Sequence, residues 1–490
     1  MTISIVNRKV LFLGYGAVAK CVWNYFSDFF VFHRKRVVLV DKTKTAFYGP
    51  NLKNVRKIVL EVSATNFTEL LDALGMKQGD IVIDLTTATP TYFFIKQCYL
   101  RGLHYINTSI EDEQDQMLGT SIDCQQHMVK SMMTQLASEH PPRSTIVTEC
   151  GQNPGLIQHY VLHALNELRK QKEQTDGIGS VVSNDFRMET LRRVIRDHHI
   201  GTILMSEVDH IRMKKGTVID PLLMYNTWSV NGFFFEALDK VELVRGKANH
   251  FIQPVVKDSI LSSVTMKIYQ PKEDYDVLFL SKNALRCSLN SICPVINPTN
   301  PNGLSLSNYR GKLIHHGEIF ELARKFGEDT PFMSYVYQSS PYVDESITRF
   351  YRNFPGATEE DLHIYVNQPD TFCVMDNINM GEGNLHGSDS IGCTIFCGQD
   401  KIEHIYWCGT ILSSTDTAVK PEFTPTIVQV AAGVLSGLSY ALEHPAMGWC
   451  EPTDMDTMYI LEKSIPLLGK FFFMEIPVSE FNGKLSLKVV

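Results

Sequence analysis

The sequence contains no uninterrupted apolar run of the roughly 20 residues that a membrane-spanning helix needs, so we expect no membrane partner. Its first residues, MTISIVNRKVLFLG, lack a basic segment followed by an apolar core and a small-residue cleavage site, and we expect no signal peptide. The 11 cysteines are scattered without a CxxC pair, and Cys393 and Cys397 have a spacing that suits zinc poorly. These absences favour a cytoplasmic protein without a metal site.

An excess of positive charge is also missing. The chain has 46 Lys and Arg against 54 Asp and Glu, which gives a formal net charge of −8. Nucleic acid is therefore not expected as the main partner, because phosphate binding needs clustered cations. The 490 residues, 44% of them hydrophobic, are typical of a soluble globular protein of two or three domains.

Strand-like and helix-like segments alternate over the first third of the chain. VLFLGYG predicts a buried strand that ends in a tight turn, and AVAKCVWNYF predicts the helix that follows. RVVLVDKT, KIVLEV, DIVIDLTT and LHYINTSI predict further strands, with helices in ATNFTELLDALG and TPTYFFIKQCYLRG. Regular alternation of this kind predicts an α/β domain with a parallel sheet covered by helices on both faces.

The pattern changes near STIVTECGQNPG. Residues 290–303, NSICPVINPTNPNG, are dense in Pro and Gly and predict a loop. SYVYQSSPYV, CTIFCG and IEHIYWCGTIL predict strands of a second, mixed α/β (α+β) domain with a more antiparallel sheet. PTIVQVAAGVLSGLSYALEHP predicts a largely buried helix.

A glycine pattern lies between the first strand and the first helix. In VLFLGYGAVA, Gly14 permits the tight turn, Gly16 lets the backbone approach a pyrophosphate, and Ala19 allows close packing of helix on strand. Asp41 ends the second strand, where a carboxylate accepts hydrogen bonds from the adenosine ribose and repels a 2′-phosphate. The pattern predicts a Rossmann-type site for NAD. Lys42 and Lys44 follow Asp41 and leave NADP as an alternative cofactor. An ordinary βαβ turn without a cofactor is the other alternative.

Polar residues end two later strands of the same sheet. DLTTATP follows the fourth strand, and NTSIE, which ends in Glu111, follows the fifth. Ligands bind outside the carboxyl ends of strands in such sheets, so both segments are expected to border the nicotinamide. Glu111 has an alternative role as the cap of a surface loop.

Several motifs carry a resemblance to a known family. CGQNPGLI at residues 150–157 resembles the GxNPG turn that joins the two domains of saccharopine-dehydrogenase-like enzymes. NTSIE, SEVDH, NTWSVNGFFFEAL, HHGE, GSDSIG and VLSGLSYALEHP, in this order between about residues 8 and 460, resemble bacterial homospermidine synthases. Several unusual motifs in one order are far more specific than any single motif.

The resemblance implies a reaction, a cofactor and an assembly. In that family bound NAD oxidises putrescine to an imine, ammonia is lost, a second amine condenses, and the NADH formed reduces the Schiff base to homospermidine. It implies a homodimer, and leaves open whether spermidine also donates the aminobutyl group. We expect residues 1–152 to form the NAD-binding domain and 153–420 the substrate-binding and dimerisation domain. Residues 421–490 are expected to be a helix and tail that pack back on the NAD-binding domain.

The resemblance also implies roles for individual residues. Glu207 is expected to hold or deprotonate the amine near the nicotinamide, and Glu111 to anchor an ammonium end. Trp228 is expected to face the cationic intermediate, with Glu236 at the outer amine. Asn153 is expected at the amine or at the nicotinamide carboxamide. The predicted cofactor contacts are Gly14, Gly16, Ala17, Val18, Ala19, Asp41, Thr86, Thr87, Thr108, Asn153 and Pro154.

The remaining substrate contacts are expected from later motifs. Asp389 is expected to anchor the other ammonium end, and His316 and Glu318 to line the same pocket. One departure is a missing carboxylate: the resemblance leads us to expect one in the segment after Leu85, and LTTATP has none.

The residue types suit the implied chemistry. Carboxylates replace the water around ammonium groups through charge-assisted hydrogen bonds, and an indole face suits an iminium cation. Hydride leaves only from a neutral amine, so a carboxylate base is needed. The plainer alternatives are that Trp228 packs in the core, that Glu236 faces water, and that His315 and His316 bind a metal. Alternation in SEVDH places Glu207 and Asp209 on one strand face.

Two other functions compete with the synthase. Saccharopine and carboxyspermidine dehydrogenases act on carboxylates, which need arginine in the pocket. Arg187, Arg192, Arg193 and Arg196 are the nearest candidates, and we interpret them as a solvated helix face. A non-catalytic NAD-binding protein is the second alternative, against which the acidic residues argue.

Overall fold

The computed structural model describes residues 2–47, 52–87, 89–110, 122–175, 183–246, 251–254, 275–297, 300–368, 371–375, 385–482 and 484–489. The chain divides into two compact units. The first unit contains Met1–Leu156 and Ile427–Pro466, and the second contains Ile157–Thr426 and Leu467–Val490. Each unit is therefore built from two separate stretches of the chain.

The first unit is built on a seven-stranded parallel sheet. The strands of this unit, including the separate pair β1 and β3, are β1 Ile3–Ser4, β2 Val10–Leu13, β3 Phe30–Val31, β4 Val37–Asp41, β5 Arg56–Val59, β6 Ile81–Asp84, β7 His104–Asn107, β8 Thr145–Val147 and, from the second stretch, β22 Gly448–Cys450. The sheet order is β22-β8-β7-β6-β2-β4-β5, while β1 pairs with β3. The chain runs outward from β2 in both directions, so the strand order reverses there, as in a Rossmann-type sheet.

Helices accompany this sheet. They are α1 Ala17–Phe29, α2 Phe67–Ala73, α3 Thr91–Arg101, α4 Ile122–Glu139, α11 Pro425–Glu443 and α12 Thr457–Ser464. The apolar face of α1 packs on the sheet, with the rings of Trp23 and Phe26 against Phe12 of β2. Both strand and helix predictions for this part of the chain are confirmed, because each follows from a continuous local pattern.

The second unit contains a mixed sheet of eleven strands. The strands of this unit are β9 Ile200–Asp209, β10 Arg212–Met213, β11 Met224–Asn226, β12 Lys240–Arg245, β13 Gln253–Pro254, β14 Asp276–Asn283, β15 Cys287–Asn297, β16 Asn300–Ile314, β17 Phe332–Gln338, β18 Phe372–Val374, β19 Leu385–His386, β20 Ser388–Cys397, β21 His404–Ser413, β23 Lys470–Ile476 and β24 Ser486–Val489. The main order is β13-β24-β15-β16-β17-β9-β20-β21-β23, with β12 and β14 joined at β17. Most neighbours are antiparallel, but β17 and β9 are parallel.

The helices of the second unit are α5 Leu156–Thr175, α6 Met188–Asp197, α7 Val230–Leu238, α8 Gly317–Phe326, α9 Pro341–Asn353 and α10 Glu359–Val366. The expected fold, a Rossmann-type domain followed by a mixed α/β domain with a more antiparallel sheet, is confirmed.

The prediction of a loop at residues 290–303 is wrong. Its described residues, 290–297 and 300–303, belong to two long antiparallel strands, β15 and β16, and Pro294 pairs with Leu306 inside the ladder. The consecutive residues from Ser291 to Val295 are all buried. Burial of both faces of the strand outweighs the local turn preference of Pro and Asn, since strand propensity depends strongly on tertiary context.

The C-terminal segment is divided between the units. Residues 427–466 belong to the first unit, whereas 467–490 supply β23 and β24 to the second sheet. The tail was expected on the first domain, but its backbone is paired with β21 and β15. Among the described residues α11 alone is long and apolar enough to cross a membrane, and it is 94% buried, as in a core helix.

Candidate functional site

The glycine turn after β2 has the geometry expected of a phosphate cradle. Gly14 has φ +75°, and a Cβ there would lie 2.7 Å from the backbone oxygen of Leu85. A Cβ at Gly16 would meet nothing within 4 Å, so open space faces this residue. Helix α1 begins at Ala17, which directs its first amide N–H groups toward that space. Ala19 is buried, as close helix packing requires.

Asp41 holds the same turn from the end of β4. One carboxylate oxygen accepts the N–H of Tyr15 at 2.8 Å, and the other accepts the N–H and hydroxyl of Thr43. The acid therefore lies beside the cradle, where a ribose is expected. Lys42 pairs with Glu61 on the surface. Open space, amide donors and a carboxylate together fit a dinucleotide.

The segment after β6 is organised by a buried acid that the sequence did not single out. Asp84 accepts hydrogen bonds from the N–H and hydroxyl of Thr86 and, at 2.7 Å, from the hydroxyl of Tyr105. Burial raises the pKa of Asp84, although these donors oppose the change. A carboxylate was expected in the segment after Leu85. Asp84 lies one residue before Leu85 instead, and it orients the loop through its hydrogen bonds to Thr86. Thr87 is exposed in this loop.

The GxNPG motif forms a tight turn. Gly151 N–H donates to the carbonyl of Pro154, and the Asn153–Pro154 bond is cis. Gly155 has φ +133°, and a Cβ there would lie 2.2 Å from Gly151 O. Thr108, at the end of β7, lies against Gly151. Asn153 and Thr108 therefore lie at the carboxyl edge of the sheet, as predicted for cofactor-contacting segments.

A second buried acid lies beside this turn. Glu149 has φ +56° and accepts two hydrogen bonds from Gln126, while its N–H donates to the side chain of Asn107. It is only 4% exposed. The sequence does not predict Glu149 as a site residue, because a single Glu before CGQNPG belongs to no motif. The feature that distinguishes Glu149 is its positive φ, which is visible only in the folded structure.

The second unit brings three acids together on one sheet face. Glu207 and Asp209 lie on β9, and Asp389 of β20 stands opposite Asp209 in the strand register. We call these three residues the carboxylate cluster; none is more than 3% exposed. Thr227 donates to Asp209 at 2.6 Å, and Thr426 donates to Asp389 at 2.6 Å.

Mutual repulsion in the cluster changes its ionisation. Burial, followed by the charges of Glu207 and Asp209, raises the pKa of Asp389 well above its usual value. Burial raises the pKa of Asp209 to about 6, although Thr227 and Arg212 oppose the change. The Oδ1 atom of Asp389 is buried without a hydrogen-bond partner among the described residues. The cluster therefore has an excess of buried negative charge.

Two tyrosines of β17 border the cluster. Tyr335 donates its hydroxyl to Glu207 at 2.8 Å, and Tyr337 stands beside Glu207 in the strand register. Burial and the nearby charge of Glu207 raise both tyrosine pKa values well above the usual range. Both hydroxyls therefore stay protonated. Trp228 is half-buried, and its indole N–H donates to the Tyr337 hydroxyl at 3.3 Å.

His316 connects two further predicted residues. Its Nε2 lies 3.4 Å from a Glu236 oxygen, and its Nδ1 lies 3.2 Å from a Glu318 oxygen. Burial alone would lower the pKa of His316, but the two carboxylates raise it well above its usual value. Its ring stacks on Tyr335 with centroids 4.1 Å apart. His316 is therefore a buried cation, which links Glu236 and Glu318 to the tyrosine that holds Glu207.

The NTWSVNGFFFEAL motif, residues 226–238, explains the position of Glu236. Helix α7 begins at Val230, with Ser229 accepting the N–H of Gly232 as its cap. Phe233 and Phe234 pack inward, while Phe235 is exposed and Glu236 is half-buried. The side chain of Glu236 therefore extends from α7 toward His316.

The remaining predictions concern Glu111 and the four arginines at residues 187–196. Glu111 lies outside the described residues. Arg187 pairs with Asp185, and Arg192 donates to the carbonyl of Lys325. Arg196 pairs with an aspartate of the same unit, so these arginines, with the exposed Arg193, have structural roles on the surface of α6.

The chain is similar to one protein family in its first part and to several proteins over nearly its whole length. The family described as "Saccharopine dehydrogenase NADP binding domain" matches residues 10–141. Two homospermidine synthases, from Mesorhizobium japonicum and Blastochloris viridis, are each 24% identical to this chain over 95% of its length. The matched region covers 89% of the first protein and 90% of the second. The solved homospermidine synthase of Legionella pneumophila in complex with NAD is 20% identical, with a TM-score of 0.76, covering 97% of this chain and 92% of that one.

The fold and the glycine cradle define the class of two-unit α/β proteins with a Rossmann-type dinucleotide-binding domain, and residues 10–141 are similar to the saccharopine dehydrogenase NADP binding domain. Within that class, the resemblance to homospermidine synthases that the sequence motifs carry is confirmed over almost the whole chain.

Proposed function

We propose that this protein is a homospermidine synthase that uses NAD to transfer an aminobutyl group between two putrescine molecules. The observation that carries the proposal is the excess of buried carboxylates: Glu207, Asp209 and Asp389 share one sheet face, with Arg212 as the cation that acts on Asp209. Buried charges are costly unless they are paired. A diamine, which carries two positive charges in water, supplies the missing partner.

An NAD cofactor, expected from the sequence, is supported by the NAD found in the Legionella pneumophila enzyme and by the fit of the cradle. When bound, this cofactor would supply reversible hydride transfer at the amine-bearing carbon. Gly16 and the N-terminus of α1 would hold the pyrophosphate, and Asp41 the ribose. The other proposed contacts are Gly14, Ala17, Val18, Ala19, Thr86, Thr87, Thr108, Asn153 and Pro154.

Glu207 is the proposed base. The reacting amine must be neutral before its carbon loses a hydride, and a buried carboxylate accepts the proton. The hydroxyl of Tyr335, at 2.8 Å, fixes the orientation of Glu207. The same carboxylate can return the proton when ammonia leaves, because the leaving amine must be protonated.

The remaining groups bind the cationic ends. Asp389, with one oxygen buried and without a partner among the described residues, is the proposed anchor for an ammonium group. Trp228 would present its face to the iminium, a contact worth about 2 kcal/mol when water is excluded. Glu236 would bind the outer amine while His316, which is itself paired with Glu318, holds the Glu236 carboxylate. Glu111 remains a proposed second anchor.

We further propose a cytoplasmic homodimer whose first unit is the NAD-binding domain and whose substrate is putrescine, with spermidine to be tested as a second aminobutyl donor. The central experiment is incubation of the pure protein with putrescine and NAD. Homospermidine formed without stoichiometric NADH supports the synthase. Sustained NADH release with amino acid substrates would instead point to a saccharopine- or carboxyspermidine-type dehydrogenase, and NAD binding without turnover to a non-catalytic protein.

Two substitutions separate the roles of the carboxylates. Glu207→Gln should abolish turnover while diamine affinity falls little, because the lost function is proton transfer. Glu236→Gln should weaken diamine binding and leave the chemical step measurable. Equal effects of both substitutions on turnover and affinity would contradict this division.

A further inference from the structure

A second pocket lies at the amino end of the sheet in the first unit. Strands β2, β6, β7 and β8 are parallel, so the residues that precede or begin them meet at one edge. Arg8, His104 and Arg143 occupy three such positions, and Pro445 and Ala446 complete the wall. The cofactor cradle lies at the carboxyl edge, about four residues of strand, or roughly 13 Å, away.

The side chains in this pocket are hydrogen-bond donors. Arg8 gives one N–H to the carbonyl of Gly79 at 2.7 Å, and Arg143 gives one to the carbonyl of Leu100. Each guanidinium has five N–H groups, so donors remain on both. Neither arginine forms an ion pair with a carboxylate among the described residues.

His104 adds a donor with a defined tautomer. It is 1% exposed, and burial together with the charge of Arg8 lowers its pKa to about 4, so the ring is neutral. Its Nδ1 accepts the N–H of Thr145, which leaves the proton on Nε2. No described residue accepts that proton. His104 lines the pocket, so a ligand oxygen there could accept this N–H.

The neighbouring groups allow an anion to approach. Among the residues that the structure describes, Asp80 is the carboxylate that acts on Arg8, and its two oxygens accept the backbone N–H groups of Lys9 and Lys77. Gly102 leaves room at the rim, because a Cβ there would lie 3.0 Å from the Gln78 side chain and 3.3 Å from that of Arg143.

From this donor set we infer a second binding site, for a phosphate group, at the amino edge of the first unit's sheet. Two guanidinium groups and the His104 N–H match the several acceptor oxygens and double charge of phosphate, which Arg binds in a bidentate manner. The phosphate is either the free ion or part of a small phosphorylated metabolite. The site does not depend on the proposed reaction, since it shares no residue with the cradle or the carboxylate cluster.

The test is titration of the protein with inorganic phosphate by calorimetry, at constant ionic strength and with saturating NAD so that the cradle cannot take up the ion. We expect saturable binding to the unchanged protein. Arg143→Gln should weaken it about tenfold or more, equivalent to about 1.4 kcal/mol. Gln78→Glu, an exposed change that adds a repelling charge, should weaken it similarly without removing any contact that holds the fold.

The matched control is Arg56→Gln, which removes an exposed arginine from β5 and should leave phosphate affinity unchanged. Glycerol phosphate is titrated in parallel: tighter binding than inorganic phosphate assigns the site to a phosphorylated metabolite, and weaker binding assigns it to the free ion. Absence of saturable phosphate binding, or equal affinity in the unchanged protein, Arg143→Gln and Gln78→Glu, overturns the inference.

Discussion

Replacement of Asp209 by Asn should change the pH dependence of stability in a defined direction. The folded protein raises the pKa of Asp209 from 3.8 to about 6, chiefly by burial. The folded state therefore binds this proton more tightly than the unfolded chain between these two pH values. By proton linkage, the free energy of unfolding falls as pH rises through that window.

The size of the effect follows from the same values. Each tenfold change in proton affinity is worth about 1.4 kcal/mol, so this one carboxyl should cost the native protein about 3 kcal/mol between pH 4 and pH 7. Asn cannot ionise, so it avoids this loss. It also cannot accept the hydrogen bonds of both Thr227 and Ile211 as the carboxylate of Asp209 does, which imposes a penalty that does not vary with pH.

The assay is urea unfolding of both proteins from pH 4 to pH 7, followed by tryptophan fluorescence. The difference in unfolding free energy, Asp209→Asn minus the unchanged protein, should rise by about 3 kcal/mol over this range. The control, Asp400→Asn, removes an exposed acid of the same unit and should give a difference that stays flat. A flat or falling difference for Asp209→Asn would refute the assignment of a buried, repelled carboxyl.

Three further predictions concern the ligands. Putrescine binding should release protons, because an ammonium group lowers the raised pKa of Asp389. Calorimetry in Tris and in HEPES should then give different heats, and equal heats would count against the anchor. Gly16→Ala should keep the melting temperature but weaken NAD more than about tenfold, whereas Gly14→Ala should lower both, because its Cβ meets backbone. Tyr335→Phe should lower kcat by about tenfold, because it removes a hydrogen bond to a charged group, and it should also shift the pH profile of turnover. A change in thermal stability alone would show that Tyr335 does not orient Glu207.

The parts of the fold that the sequence predicts are those encoded by neighbouring residues. The strand before Gly14, the helix after Gly16 and the acid at Asp41 lie within one βαβ unit, where hydrophobic period and glycine spacing are local signals. The hairpin around Pro294 shows the limit of such signals. Its residues favour a turn locally, and only the sheet that buries Ile292 makes them strands.

The same limit applies to the candidate site. The sequence predicts Glu207, Asp389, His316 and Trp228 as site residues only because their motifs resemble those of a family. It does not predict Tyr335, which donates to Glu207 and stacks on His316, because YVYQ reads as an ordinary strand. Glu149 was missed for a related reason, since its positive φ is a property of the folded turn.

The sequence by itself determined the two-domain α/β class, the glycine cradle and the supply of acids that a cationic substrate requires. Only the tertiary structure decided that Asp389 stands opposite Asp209, about 180 residues away in the chain, and that His316 lies between two carboxylates. For the two aspartates the physical reason is strand register: a slip by one residue would turn Asp389 to the other sheet face, and register is set by pairing and burial across the whole unit. For His316, which caps one helix and meets Glu236 of another, the reason is how the two helices pack in the folded unit.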